Sequence, residues 1–125
     1  MSINVHLLRK VLEHITEHPN EWDQDNWGVK TACGTAHCVA GHTVAMTGHE
    51  LMWFRQGSEL HLGGVNGVAG YCSVHAAARD ELGLDDDEAY LLFHPDNSLD
   101  VLWGYAEDLT NGEITKPDLE SESAS

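Results

Sequence analysis

Leu51-Met-Trp-Phe-Arg-Gln-Gly-Ser-Glu-Leu-His-Leu-Gly-Gly-Val-Asn-Gly-Val68 is the stretch that a helical period does not fit, and the fold class turns on how it reads. Met52 to Arg55 and Glu59 to Leu62 are two short runs separated by Gln56-Gly57-Ser58, a turn signal, and this predicts a short hairpin. Gly63-Gly64-Val65-Asn66-Gly67 then breaks any regular pattern. Read this way, the stretch contributes one small β-hairpin and no more.

Outward from it the helical period is plain. Leu8, Val11, Leu12 and Ile15 fall at i, i+3, i+4 and i+7, so Ile3 to Glu17 reads as a helix that Asn4 caps and Pro19 ends. Asn20 to Thr31 reads as a loop anchored on the core by Trp22 and Trp27, with a ligand-facing role for that pair as the functional alternative. Thr35 is a natural N-cap for a second helix, Ala36 to Thr47, which Gly48 stops. Its small residues Ala36, Ala40 and Gly41 would let another element approach closely. Ser73 opens a third helix, ended after Leu82 by Gly83. Asp85 and Glu88 have capping-box spacing for a fourth, which ends before His94-Pro95. Ser98 opens a fifth, with Leu99, Leu102, Trp103, Ala106 and Leu109 as its stripe. The pattern predicts an all-α fold, a compact bundle of about five short helices with one small β-hairpin at its edge. Residues 1–115 read as a single helical domain, and residues 116–125 as a disordered acidic tail too polar to pack.

At 125 residues and 42% hydrophobic content the chain is long enough for one real core. No apolar run approaches the length of about 18 residues that a membrane helix needs, and Met-Ser-Ile-Asn-Val-His lacks the plan of a signal peptide. A cytoplasmic protein with reduced thiols is the expectation. Acids outnumber bases 21 to 6, and fourteen acids against one base, Lys116, lie between Asp80 and Ser125. Such a surface repels phosphate backbones, which argues against direct nucleic-acid binding, and attracts basic partners. The bland alternative is charge for solubility alone.

Cys33-Gly-Thr-Ala-His-Cys-Val-Ala-Gly-His42 concentrates the ligand types that zinc prefers. Cys38 and His42 stand four residues apart on one helical face, and Cys72 and His75 repeat a cysteine–histidine spacing later on. Cys33, Cys38, His42 and either Cys72 or His75 are therefore the candidate zinc ligands. Three other readings stand beside it: thiols packed as small hydrophobes, a Cys33–Cys38 disulfide, and a reactive Cys38 whose pKa is lowered near a helix start beside His37. Two calcium-loop-like stretches fail on composition. Asp23-x-Asp25-x-Trp27 has Trp where an oxygen ligand belongs, and Asp96-x-Ser98-x-Asp100 has Val101 where the turn needs Gly. The remaining histidines are scattered along the chain and read as surface residues. No phosphate loop, dinucleotide fingerprint or serine triad is present.

The Cys33-to-His42 segment, with Glu81-Leu-Gly-Leu-Asp-Asp-Asp-Glu-Ala-Tyr-Leu-Leu-Phe93, Asn97-Ser-Leu-Asp-Val-Leu102 and the Glu21-Trp-Asp-Gln24 loop, resembles a family of small proteins of actinobacteria and their phages. Its mark is a Cys-Gly-Thr-x-x-Cys-x-Ala-Gly segment, and the resemblance covers most of residues 11 to 112. It implies a phage or bacterial origin and a shared helical fold, and it assigns no reaction. Family members often carry Trp at the position of His42.

The function expected is that of a small acidic phage or bacterial protein that binds a host or phage macromolecule without catalysis. A protein with a basic surface is the partner that the charge favours, with mimicry of DNA charge as a narrower version. Asp86, Asp87, Asp96 and Asp100 are the candidate partner-binding residues. A zinc-stabilised structural module is the alternative, and a thiol- or metal-dependent enzyme a third reading, for which no complete catalytic set is legible.

Overall fold

The computed structural model describes residues 3–32, 34–67 and 70–117. Among them stand five α-helices, as the sequence predicts, together with a five-stranded antiparallel sheet. The fold is α+β, which corrects the all-α expectation.

The helices follow their sequence signals. In α1 (Val5–Glu17) the Asn4 side chain accepts from the Leu7 N–H, and Leu8, Val11, Leu12 and Ile15 are fully buried. A 3-10 turn, Pro19–Glu21, follows at once. Ser73 caps α3 (Val74–Leu82), and Gly83 ends it in the left-handed conformation, at φ 71°. Asp85 and Glu88 complete a reciprocal capping box on α4 (Asp86–Leu92), and Ser98 caps α5 (Leu99–Leu109).

The second helix departs from expectation. α2 runs over Val39–Met46, three residues later than Ala36, because the chain before it is strand. β1 (Val29–Thr31) pairs with β2 (Gly34–Ala36), with Thr35 opposite Lys30, so Thr35 is not a cap. The backbone of His37 is also occupied: its N–H donates to Glu21 O at 2.9 Å and its carbonyl accepts from Asp23 N at 2.9 Å. Cys38 therefore becomes the cap, its Sγ accepting from the Gly41 N–H at 3.4 Å.

The stretch read as a small hairpin is the centre of the sheet. β3 (Glu50–Gln56) pairs along its length with β4 (Glu59–Gly67), and β5 (Gly70–Cys72) returns on β4. Val65 and Asn66 pair with β3 and β5 alike, and Leu60 and His61 with β3 and β1 alike. β3 therefore lies on one side of β4, with β1 and β5 sharing the other. The register slips between Met52/Gly64 and Trp53/Leu62, which leaves Gly63 as the extra residue of a bulge. Glycine there leaves room for two rings of the neighbouring strands. A Cβ on Gly64 would lie 2.4 Å from the Tyr71 ring, and one on Gly63 would lie 3.0 Å from the Phe54 ring.

The core gathers Leu8, Leu12 and Ile15 of α1 with Val39 and Val44 of α2, Val65 of β4, Leu82 of α3, Leu92 of α4 and Leu102 of α5. Each such side chain contributes roughly 1.5–3 kcal/mol relative to exposure. α2 comes close to the β1-flanking loop where a Cβ on Gly41 would lie 1.6 Å from the Trp27 carbonyl oxygen, so the close approach read from its small residues is met at Gly41. No helix among the described residues is long and apolar enough to cross a membrane. Of the tail expected from residue 116, all beyond residue 117 lies outside the described residues. Lys116 itself is held to α5, its N–H donating to Glu107 Oε1 at 2.8 Å and its Nζ 2.8 Å from Asp100 Oδ1.

Candidate binding site on the face of α4 and α5

The end of α4 is where loop, helix and acidic surface meet. A helix leaves its last carbonyls without intrahelical partners, and here two side chains supply donors. Asn97 Nδ2 donates to Leu91 O at 2.8 Å and to Leu92 O at 3.0 Å. Gln24, buried and 68 residues earlier, donates from Nε2 to Leu92 O at 3.4 Å and to His94 O at 3.1 Å. Its Oε1 accepts from Trp22 Nε1 at 2.9 Å and from the Val39 N–H at 3.3 Å. One amide thereby fixes the Trp22–Trp27 loop, the start of α2 and the Phe93-His94-Pro95 turn relative to one another.

Two recesses flank that turn. The first, of about 460 Å³, is lined by Asp87, Tyr90, Leu91, Asp96 and Tyr105. The second, of about 350 Å³, is lined by Trp27, His75, Tyr90, Phe93 and Pro95. Tyr90 and His94 form the wall between them. Tyr90 is 69% exposed and Leu91 45%, so a helix that begins with three acids also presents large apolar side chains to solvent.

The four aspartates expected to bind a partner are not equivalent. Asp86 Oδ1 lies 2.6 Å from Arg79 Nη1, and this bond holds the Arg79 guanidinium above its ordinary pKa. Asp100 is paired with Lys116. Asp87 and Asp96 are paired with no Lys or Arg among the described residues, Asp96 Oδ2 lying 4.0 Å from His94 Nδ1, and both line the first recess. Tyr90, Leu91 and Tyr105 were not singled out by sequence reasoning. The unbroken run Asp85 to Glu88 leading into Tyr90-Leu91 is the signal that was there to find.

Among the described residues, the candidate zinc ligands Cys38, His42, Cys72 and His75 are dispersed. Cys33 lies outside the described residues. Cys38 is 2% exposed at the cap of α2, and burial pushes its thiol up to about 11, which overturns the reading of a Cys38 with a lowered pKa. His42 faces the 3-10 turn, Cys72 is half-buried on β5, and His75 lines the aromatic recess. Cys38 and Cys72 are free thiols. No group of three or more His, Cys, Asp or Glu among the described residues is disposed to hold a metal ion.

Two of the remaining histidines, His14 and His18, join His42 and His37 in a row. His18 stacks on His14 at 4.4 Å, His14 meets His42 at 5.3 Å, and His42 meets His37 at 5.1 Å. His42 Nε2 donates to Glu21 O at 2.7 Å and His37 Nδ1 to Trp27 O at 3.0 Å, which sets a neutral tautomer for each ring. Burial lowers the pKa of both, that of His42 to about 4. At the exposed end His14 Nε2 lies 3.1 Å from Glu21 Oε1, and that bond holds Glu21 below the usual carboxylate range. The row ties α1 and α2 to the loop between them. Its polar contacts are internal, whereas the two recesses beside Tyr90 open outward. Compared with protein-family models, curated proteins and solved structures, the chain matches none of them.

Proposed function

We propose that this protein binds a basic segment of another protein, of phage or bacterial host, along the face of α4 and α5 and performs no catalysis there. One observation carries the reading: the recess in which Asp87 and Asp96, committed to no internal Lys or Arg, stand beside Tyr90, Leu91 and Tyr105. An acidic patch alone serves solubility, and an apolar patch alone serves any greasy surface. Together they suit a lysine or arginine, whose aliphatic stem lies along tyrosine and leucine while its charged head reaches a carboxylate. The formal charge of −15 adds long-range attraction to a basic partner.

The test is a titration of the full chain with a synthetic peptide rich in Arg and Leu, followed by calorimetry at two salt concentrations. Binding that weakens as salt screens it, and that falls about tenfold in the double variant Asp87→Asn, Asp96→Asn, supports the reading. Asp86→Asn with Asp100→Asn removes the same formal charge from aspartates already paired and is expected to cost at most about twofold. Equal losses from the two pairs of substitutions would reduce the site to unspecific charge attraction and overturn it.

A further inference from the structure

The second recess carries features that a basic segment does not explain. Its walls are aromatic, and three of the rings meet on His75. Trp27 stands edge-on to it at 6.4 Å and 78°, Phe93 edge-on at 5.4 Å and 89°, and Tyr90 tilted at 4.9 Å. Rings at these angles make a corner rather than a flat stack. Phe93 is buried and fixed, whereas Trp27 is 38% exposed and Tyr90 69%, so both present ring surface to an incoming group. The corner is held rigid from behind, because Gln24 bonds both the carbonyl of His94 and the Trp22 indole.

Carboxylates stand on two sides of this corner but not in it. Asp25 lines a small recess that shares Trp27, Phe93 and Pro95 with it, and Asp87 and Asp96 lie across the Tyr90–His94 wall. A primary ammonium or a guanidinium needs several strong hydrogen-bond acceptors; the side chains of this recess offer only the Tyr90 hydroxyl and the imidazole nitrogens of His75 and His94, whereas carboxylates stand in the neighbouring recess. A methylated ammonium has lost its N–H donors and much of its hydration while keeping its charge. It suits an aromatic corner in a negative field. We infer that the Trp27, His75, Tyr90 and Phe93 recess binds a quaternary ammonium group. This chemistry occurs in small choline-like molecules and in trimethylated lysine side chains. The site is separate from the groove proposed above and shares only the Tyr90–His94 wall with it.

The experiment titrates three probes of similar size into the isotope-labelled full chain, read at the indole Nε1–H resonance of Trp27. Choline carries charge and methyl groups, neohexyl alcohol has the same shape without charge, and ethanolamine has the charge without the methyl groups. Choline binding about tenfold tighter than either control, with Trp27 responding, supports the inference. Equal binding of neohexyl alcohol would make the recess a plain apolar pocket, and a silent Trp27 at a few tens of millimolar choline would leave no site; either result overturns it.

Trp27→Leu and Tyr90→Leu should each weaken choline about tenfold, while Tyr90→Phe retains it. An equal loss in Tyr90→Phe points to the hydroxyl rather than the ring and also overturns the inference. A basic peptide with one trimethylated lysine, compared with choline and with its unmethylated twin, separates the two sources. Gain from methylation upholds a protein side chain as occupant, and an equal affinity of choline and both peptides rules that source out. Because Asp87→Asn with Asp96→Asn leaves the aromatic corner in place and removes only part of the surrounding negative field, choline binding should weaken by at most about twofold in the variant that loses the Arg-Leu peptide. Failure of either reading is thus visible without failure of the other.

Discussion

His42 is the residue whose protonation the fold can least accept. It is 4% exposed, its Nε2 is committed to the Glu21 carbonyl, and its neighbours His14 and His37 add no negative charge to receive a proton. Its folded pKa of about 4 lies below the ordinary 6.5, so between those values the unfolded chain binds the extra proton. Stability is complete above about pH 6.5 and is lost as the pH falls toward 4, by on the order of 3 kcal/mol from this group. Burial of His37 acts in the same direction, and Glu21, held low chiefly by its bond to His14, adds a further loss once it protonates. Thermal melts from pH 7.5 to 4 should show this decline, and His42→Gln, which keeps a donor but no titration, should flatten it; an unchanged slope in the variant would place the acid sensitivity elsewhere. Glycines give a second pair of outcomes at this scale. Gly41→Ala drives a methyl into the Trp27 carbonyl and should cost about 3 kcal/mol or more in denaturant melts. Gly104→Ala, on α5 with nothing within 4 Å of the new methyl, should instead stabilise by about 0.5–1 kcal/mol.

At the scale of elements, what the sequence disclosed depended on which signals were local. Caps at Asn4, Ser73, Asp85 and Ser98 are bonds between residues three apart, and each one is present where its spacing put it. The sheet was illegible because its signals are not local. β1, β2 and β5 have three residues each, too few to show a period. In β4 the alternation is broken by Gly63 and Gly64, residues that disfavour strand on their own and over which the Phe54 and Tyr71 rings lie. Thr35 looked like a cap because nothing in its neighbourhood announces that Lys30 will pair with it. The candidate site divides in the same way. Its carboxylates were visible as an acidic run, whereas the ion pairs that remove Asp86 and Asp100 join α4 to α3 and α5 to the chain beyond it. The aromatic corner unites residue 27 with residues 75–95, a juxtaposition only the folded chain contains.

For the whole molecule, a charge of −15 acts in opposite directions on folding and on binding. Like charges repel one another more in the compact state than in the expanded one, so added salt should raise the melting temperature while it weakens capture of the Arg-Leu peptide. Scanning calorimetry alongside peptide titration at low and high salt checks both signs; a melting temperature that falls with salt would mean that the acids are already balanced by local pairing. The Gln24 amide has a consequence at this scale as well. It joins the first quarter of the chain to the end of α4, and the corner it supports exists only once that distant closure has formed. Partly folded forms that keep helices alone therefore lack the corner, and an occupant recognises the finished molecule and nothing earlier. By mass action such an occupant draws the population toward full closure and slows its loss, so that occupancy is itself a report on completed folding.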